Sequence, residues 1–295
     1  MAPVAKWADA ERTAQGKARA AVRPGALKTL WFNTGTRCNI ECANCYIESS
    51  PRNDRLEPLR LAEVLPFLEE AREMGAREIG FTGGEPFMNP DLLAMAGESL
   101  ERGFSVLILT NAMAPMMNRK KELLALLPRR GLRLRVSLDH HTAAVHDAER
   151  GAGSFDKAVA GLRWLLEAGF AVSVAGRSFV EEEEKAARDG YFRAIGREIE
   201  LTVFPEMGAA GELPEITTEC WGLLGKEPES VMCASSRMVL KRRGAQGPAV
   251  VACTLIPYDA RFELGRTIRE SWRPVALQHP HCASFCVLGG ASCAA

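Results

Sequence analysis

The sequence predicts an α/β fold built on a parallel sheet with helices packed outside it. Three observations carry that expectation. Six short β-rich runs, at 27–32, 78–81, 104–109, 132–138, 171–174 and 199–204, recur through the first two thirds of the chain. Helical patterns fall between them, with apolar residues at roughly 3.6-residue spacing. And 47% of the 295 residues are hydrophobic, enough for one large core or for a core with a smaller appendage.

Residues 1–23 contain no signal-peptide apolar core and carry Asp9 and Glu11, so a short surface helix or arm is expected there. The run at 27–32 opens the sheet. Residues 61–74 then place Leu61, Val64, Leu65, Phe67, Leu68 and Ala71 on one helical face. A second helix is expected from Pro90, with Asn89 as its N-cap. Helices at 120–127 and 155–168 follow, the second stopped by Gly169. Four glutamates, 181–184, open a helix reaching 195; acidic residues complement the positive end of a helix dipole, so a solvated first turn is expected rather than a metal site. After Phe204 the alternation ends in Pro205, Gly208, Gly211 and Pro214. This sets a boundary near 205–215 and divides the chain into 1–26, 27–207 and 208–295. In the last part, 237–240 and 249–255 flank Gly244-Ala245-Gln246-Gly247 and predict a β-hairpin with Cys233 and Cys253 at its open end.

Lys and Arg total 37, as do Asp and Glu, so the formal net charge is zero. A general nucleic-acid binder needs an excess of positive charge, and none is present. No apolar run is long enough to span a bilayer. Nine cysteines without a secretion signal point to a reducing, cytoplasmic location, where metal ligation is favoured over disulfides.

The chemistry is concentrated in the loop after the first run. Cys38, Cys42 and Cys45 are spaced C-x3-C-x2-C. Thiolates are soft ligands that suit iron–sulfur clusters and zinc. Three of them on one loop hold three corners of a metal centre and leave the fourth open, whereas a closed structural zinc site needs four protein ligands. A zinc knuckle has no fourth His or Cys within thirty residues on either side, and a redox Cys42–Cys45 pair leaves Cys38 unexplained. In folds of alternating strands and helices the chemistry sits on loops at the C-terminal ends of strands, which is where this loop falls.

That cysteine spacing, followed by Gly83-Gly84-Glu85-Pro86 at the end of the second run, resembles the radical S-adenosylmethionine (radical SAM) superfamily. The resemblance covers about residues 27–205. It implies a partial (β/α)6 TIM-like barrel and a [4Fe–4S] cluster on Cys38, Cys42 and Cys45. SAM would chelate the open iron and be cleaved reductively to a 5′-deoxyadenosyl radical that takes a substrate hydrogen. By the same resemblance, Gly83, Gly84, Glu85 and Pro86 would meet the SAM amine. Thr110 and Asn111 would supply polar contacts, Ser137 and Asp139 would hold the ribose, and Arg177 would pair with the SAM carboxylate. His146-Asp147, Arg150-Gly151 and Ser154-Phe155-Asp156 resemble the segment after the fourth strand in members with cluster-binding extensions. One departure is Asn44, where many members carry an aromatic that stacks near adenine; here Tyr46 follows the third cysteine instead.

The tail adds Cys220, Cys233, Cys253, Cys282, Cys286 and Cys293. Its order resembles SPASM and twitch extensions, which ligate auxiliary [4Fe–4S] clusters. One auxiliary cluster is expected, on Cys233, Cys253, Cys282 and Cys286 with Cys293 as the replacement ligand, against a zinc alternative. Cys220 stands apart, either as a packed thiol or as a hydrogen donor facing substrate. His279 and His281 flank the cluster cysteines and are expected as outer partners. His140 and His141 lie just beyond the fourth strand, on the active-site side. The resulting expectation is an oxidoreductase acting on a small molecule or peptide, fed electrons by a flavodoxin or ferredoxin. The short stretch before Leu27 leaves no room for a leader-binding domain, which tilts the expectation toward a small molecule. Two other readings stay open: a redox-neutral epimerase using Cys220, and a non-enzymatic metal-binding scaffold.

Overall fold

The computed structural model describes residues 5–117, 120–178, 182–205 and 213–289. A two-residue strand, β1 (Ala21–Val22), precedes six strands: β2 (Thr29–Asn33), β3 (Glu78–Thr82), β4 (Ser105–Thr110), β5 (Leu132–Ser137), β6 (Ala171–Ser178) and β7 (Glu200–Pro205). Six helices accompany them: α1 (Leu61–Glu73), α2 (Leu92–Glu101), α3 (Lys120–Ala125), α4 (Ala143–Arg150), α5 (Ser154–Glu167) and α6 (Glu184–Ile195). Strands β2 to β7 pair in parallel and in chain order. The predicted α/β architecture with its parallel sheet is therefore present, and no pairing among the described residues closes the sheet into a ring.

Alternation of side chains along each strand sorts residues to two faces. Leu30, Phe32, Ile79, Phe81, Val106 and Ile108 join Val64, Leu68, Met95 and Leu162 of the helices in the main core. The intervening Trp31 and Leu107 join a second cluster with Met232, Met238, Leu240 and Val251. Gly80 is required on that second face, because a Cβ there would lie 2.3 Å from the Trp31 ring.

The C-terminal part adds α7 (Cys220–Leu224), β8 (Ser236–Leu240), β9 (Ala249–Val251), β10 (Glu263–Gly265), α8 (Ile268–Ser271), β11 (Val275–Ala276) and a π-helix, Cys282–Leu288. The predicted hairpin forms as β8 and β9. Its first strand also pairs in parallel with β2, so one nine-stranded sheet runs β10-β9-β8-β2-β3-β4-β5-β6-β7. The hairpin thus grows from the open edge of the core sheet, although residues 206–212 of the expected boundary lie outside the described residues.

Two local expectations change. Residues 5–22 do not form a surface helix or arm. β1 pairs antiparallel with β11, and Ala20 and Val22 are fully buried in a core shared with Val231, Phe262, Leu277 and Phe285. Arg19 is buried there too, 2.5 Å from Glu215, which also accepts the amides of Trp7 and Ala14. Asn89 does not cap α2, which begins after Asp91. Its amide group instead donates to the carbonyls of Thr34 (3.0 Å) and Leu59 (2.9 Å). Of the four glutamates, Glu181 lies outside the described residues and Glu184 opens α6. No helix among the described residues is long and apolar enough to cross a membrane.

Candidate active site

The loop from β2 to α1 carries Cys38, which is 5% exposed, with Cys42 and Cys45 half-buried. Backbone contacts set its course. Cys38 N–H donates to Ser50 O (3.1 Å), Ala43 N–H to Glu149 O (2.8 Å), and Ser49 N–H to the Cys45 sulfur (3.3 Å). The Gly83-Gly84 turn at the end of β3 presses against this loop. Gly84 N–H donates to Gly35 O (2.8 Å) and Glu85 N–H to Arg37 O (3.1 Å). A Cβ on Gly84 would sit 2.4 Å from Arg37 O, and one on Gly83, whose φ is +145°, 2.6 Å from Gly35 O. Glycine is needed at both positions because the cysteine loop itself occupies the space.

Glu85 couples this turn to the next strand end. Its carboxylate accepts from Asn111 N–H (2.8 Å), the Thr110 hydroxyl (2.9 Å) and Phe87 N–H (3.2 Å). Asn111 in turn donates to the Asn39 side chain (2.8 Å) inside the cysteine loop. Asp139, beyond the end of β5, is held by a two-point contact from Arg150 at 2.7 and 2.9 Å, with Arg177 of β6 at 3.6 Å.

These groups surround a cavity of about 180 Å³. Its walls include all three loop cysteines, Gly83 to Glu85, Thr110, Asn111, Ser137, Asp139 and Arg177. Of the residues named from the sequence for the SAM site, all but Pro86, which is buried, lie on the walls of this cavity. The sequence did not single out Arg135, Arg150 or Ser49 as cavity residues. Arg135 carried a signal: in a strand whose alternate residues are Leu132, Leu134 and Val136, a cation next to Ser137 has to face the inner side. The Ser49 hydroxyl is buried with no hydrogen-bond partner among the described residues. Tyr46 lines the cavity, whereas the Asn44 side chain turns to Glu149 (2.9 Å).

Burial dominates the electrostatics. It pushes the Cys38 thiol up to about 12, reinforced by the nearby Glu85, and it raises Cys42. Burial also lifts the Glu85 carboxyl to about 7, against the pull of its three donors. For Asp139 burial is opposed and outweighed by Arg150 and Arg177, which hold the carboxyl below its usual range. Buried thiols that resist ionisation become stable thiolates only beside a cation, as at a metal centre.

A family profile described as the Radical SAM superfamily matches residues 32–188. The chain belongs to the radical SAM superfamily. Membership in the radical SAM superfamily implies a [4Fe–4S] cluster and SAM. Among relatives, the chain is 30% identical over 249 residues to PqqA peptide cyclase of Streptomyces rochei, spanning 80% of this chain and 63% of that protein. It is 33% identical over 134 residues to mycofactocin maturase MftC of Mycobacterium tuberculosis, spanning 45% of this chain and 33% of that one. The chain thus spans less than two thirds of either relative's length. Among solved structures, that of Streptococcus suis SuiB bound to S-adenosylmethionine superposes with a TM-score of 0.59 at 13% identity, covering 81% of this chain and 63% of that chain. At that identity the likeness concerns the fold.

This radical SAM chain has a second sulfur-rich cavity, of about 20 Å³, in its C-terminal part. Cys233, Cys253, Cys282 and Cys286 converge on it within apolar walls. Burial raises Cys233 to about 11 and lifts Cys282 well above its ordinary value, the latter reinforced by the other three sulfurs. Cys282 and Cys286 share the π-helix. His281 lines this cavity and packs edge-on against His279, with ring centroids 4.6 Å apart. Cys293 lies outside the described residues. Cys220 borders neither cavity; it begins α7, where its sulfur takes the Thr217 amide at 3.4 Å. Leu255 lines both cavities, and Phe285, between the two π-helix cysteines, lines the first and stacks on Phe204 at 5.5 Å.

Proposed function

We propose that the chain is an oxidising radical SAM enzyme with one auxiliary cluster, and that its substrate is a peptide. Leu255, which lines both cavities, carries this reading, because it sets the second sulfur site next to the cavity in which substrate would lie. In this reading Cys38, Cys42 and Cys45 hold the SAM-binding [4Fe–4S] cluster, and Cys233, Cys253, Cys282 and Cys286 hold the auxiliary one. A flavodoxin or ferredoxin would supply the reducing electron.

The donor sets fit clusters better than zinc. One tetrahedral ion with bonds of about 2.3 Å holds its sulfurs about 3.8 Å apart. Among the described residues no three cysteine sulfurs lie within 4.8 Å of one another, so they are spread more widely than one ion requires. When bound, the cluster and SAM supply a carbon-centred radical that removes a hydrogen atom from substrate.

The chain's own residues would do the rest. Gly83 and Gly84 keep the turn flush with the cysteine loop. Glu85 ties that turn to Thr110 and Asn111. Arg177, on the cavity wall beside Asp139, which Arg150 fixes, would hold the carboxylate of SAM. Tyr46, Leu255, Phe204 and Phe285 give apolar walls that exclude water from a radical. The peptide assignment is supported by the relative matched over most of this chain, a peptide cyclase by name.

Anaerobic reconstitution tests the proposal. About eight irons per chain, with deoxyadenosine formed from SAM under dithionite, are expected for two four-iron clusters. About four irons would remove the auxiliary cluster, and zinc alone or no deoxyadenosine would refute the enzyme. Cys233→Ala should lose about half the iron and still cleave SAM. A product peptide lighter by two hydrogens would establish net oxidation.

A further inference from the structure

Outside both cavities, His140 and His141 lie in the loop after β5, just past Asp139, and Glu182 precedes α6. We propose that these three side chains form a divalent-cation site of the zinc class that clamps the end of β5 to the start of α6. One ligand atom from each lies within 4.8 Å of the other two. The two imidazoles stack at 4.2 Å with planes 27° apart, and both Nε2 atoms lie within 4 Å of the Glu182 carboxylate. His141 Nε2 is 2.9 Å from Glu182 Oε1 and 3.2 Å from Oε2, and His140 Nε2 is 3.7 Å from Oε2.

The His140 contact is the telling one. The residue is 6% exposed, and its Nε2 has no hydrogen-bond partner. At 3.7 Å the carboxylate is beyond hydrogen-bonding reach. If Nδ1 accepts the Thr142 amide (3.0 Å), Nε2 must carry the proton, and nothing accepts it. If Nδ1–H instead donates to the Thr142 hydroxyl (2.8 Å), the backbone contact is given up and Nε2 presents a lone pair toward Glu182. A cation in that gap takes the lone pair, with Thr142 orienting the ring from behind.

The surroundings fix the geometry. A Cβ on Gly190 would lie 2.5 Å from His141 Nδ1, so α6 fits flush against the ring, and Tyr191 packs edge-on at 5.7 Å. The Glu182 side chain is 27% exposed, which leaves an entry path and an open fourth position for water. Two imidazoles and a carboxylate are an N/O donor set, distinct from the thiolate sites. The clamp sits one residue past Asp139, whose carbonyl accepts both Arg177 N–H (2.9 Å) and the Tyr191 hydroxyl (2.9 Å). It would therefore hold together the two strand ends that carry Asp139 and Arg177.

Zinc binding to the iron-loaded protein tests this. Chelator-treated protein is given one equivalent of zinc chloride, desalted, and measured for zinc content and by zinc K-edge absorption. The expected result is about one zinc per chain with nitrogen and oxygen ligands and imidazole scattering. Affinity should fall at least about tenfold in Glu182→Gln and His141→Ala, with iron content unchanged as the control for folding. Loss of zinc on desalting, sulfur ligation in the wild type, or equal retention by both variants would overturn the proposal. The wild-type spectrum decides the matter even if a variant misfolds.

Discussion

Burial lifts the Glu85 carboxyl from 4.5 to about 7, so between those values the native chain keeps a proton that the unfolded chain releases. The stability linked to this group is fully present below about pH 4.5 and is lost as pH rises through about 7. The whole effect is at most roughly 3 kcal/mol. We predict that urea melts of the cluster-free protein at pH 5 and pH 7.5 will show the wild type losing stability relative to Glu85→Gln as pH rises. A parallel profile for the two proteins would show that Glu85 does not titrate there. Gly84 fails by a different route. A methyl group 2.4 Å from Arg37 O meets backbone, which cannot rotate away. Gly84→Ala should cost about 1–3 kcal/mol and displace the cysteine loop. Iron analysis should then show the first cluster lost and the second retained. Retention of all the iron would mean that the turn and the loop are not coupled.

At the scale of elements, β8 depends on one buried cation. Arg237 is fully buried and donates to the carbonyls of Ser271 (3.0 Å), Cys233 (2.6 Å), Ser236 (2.8 Å) and Arg273 (3.0 Å). Arg237→Met would take this donor from three buried carbonyls and one half-buried one, at a cost of about 3 kcal/mol or more. Thermal melts should drop accordingly, with iron lost first from the site of Cys233. The sheet strands were legible because their β-branched and leucine runs repeat between helical patterns, as in Val106-Leu107-Ile108. α4 was not, since His146 is its one buried side chain and no apolar period marks it. The cysteine loop and Gly83-Gly84 were legible as residue types at fixed spacing. The partnership of Asp139 with Arg150 was not, because it links a strand end to a helix end through side-chain geometry alone.

For the whole molecule, the two ends of the described chain share one core. The N-terminal segment read as an arm because Ala20-Ala21-Val22 is too short to show a period; its partners lie near Val275 and Glu215. Removing residues 1–22 should strip β11 of its partner and leave Glu215 buried without Arg19. Hydrogen exchange should then rise across 213–289 while β3 to β7 stay protected, and iron should fall toward about four per chain. Uniform unfolding would refute this division. The pairing of β2 with β8 has one more consequence. β2 is synthesised before its second neighbour, residues 236–239, which emerges only after all six parallel strands. Such distant contacts form slowly and leave strand edges open to wrong partners. Throughout synthesis the edge of β2 therefore stays available to other chains, and low temperature or chaperone supply should govern soluble yield more than any single core residue.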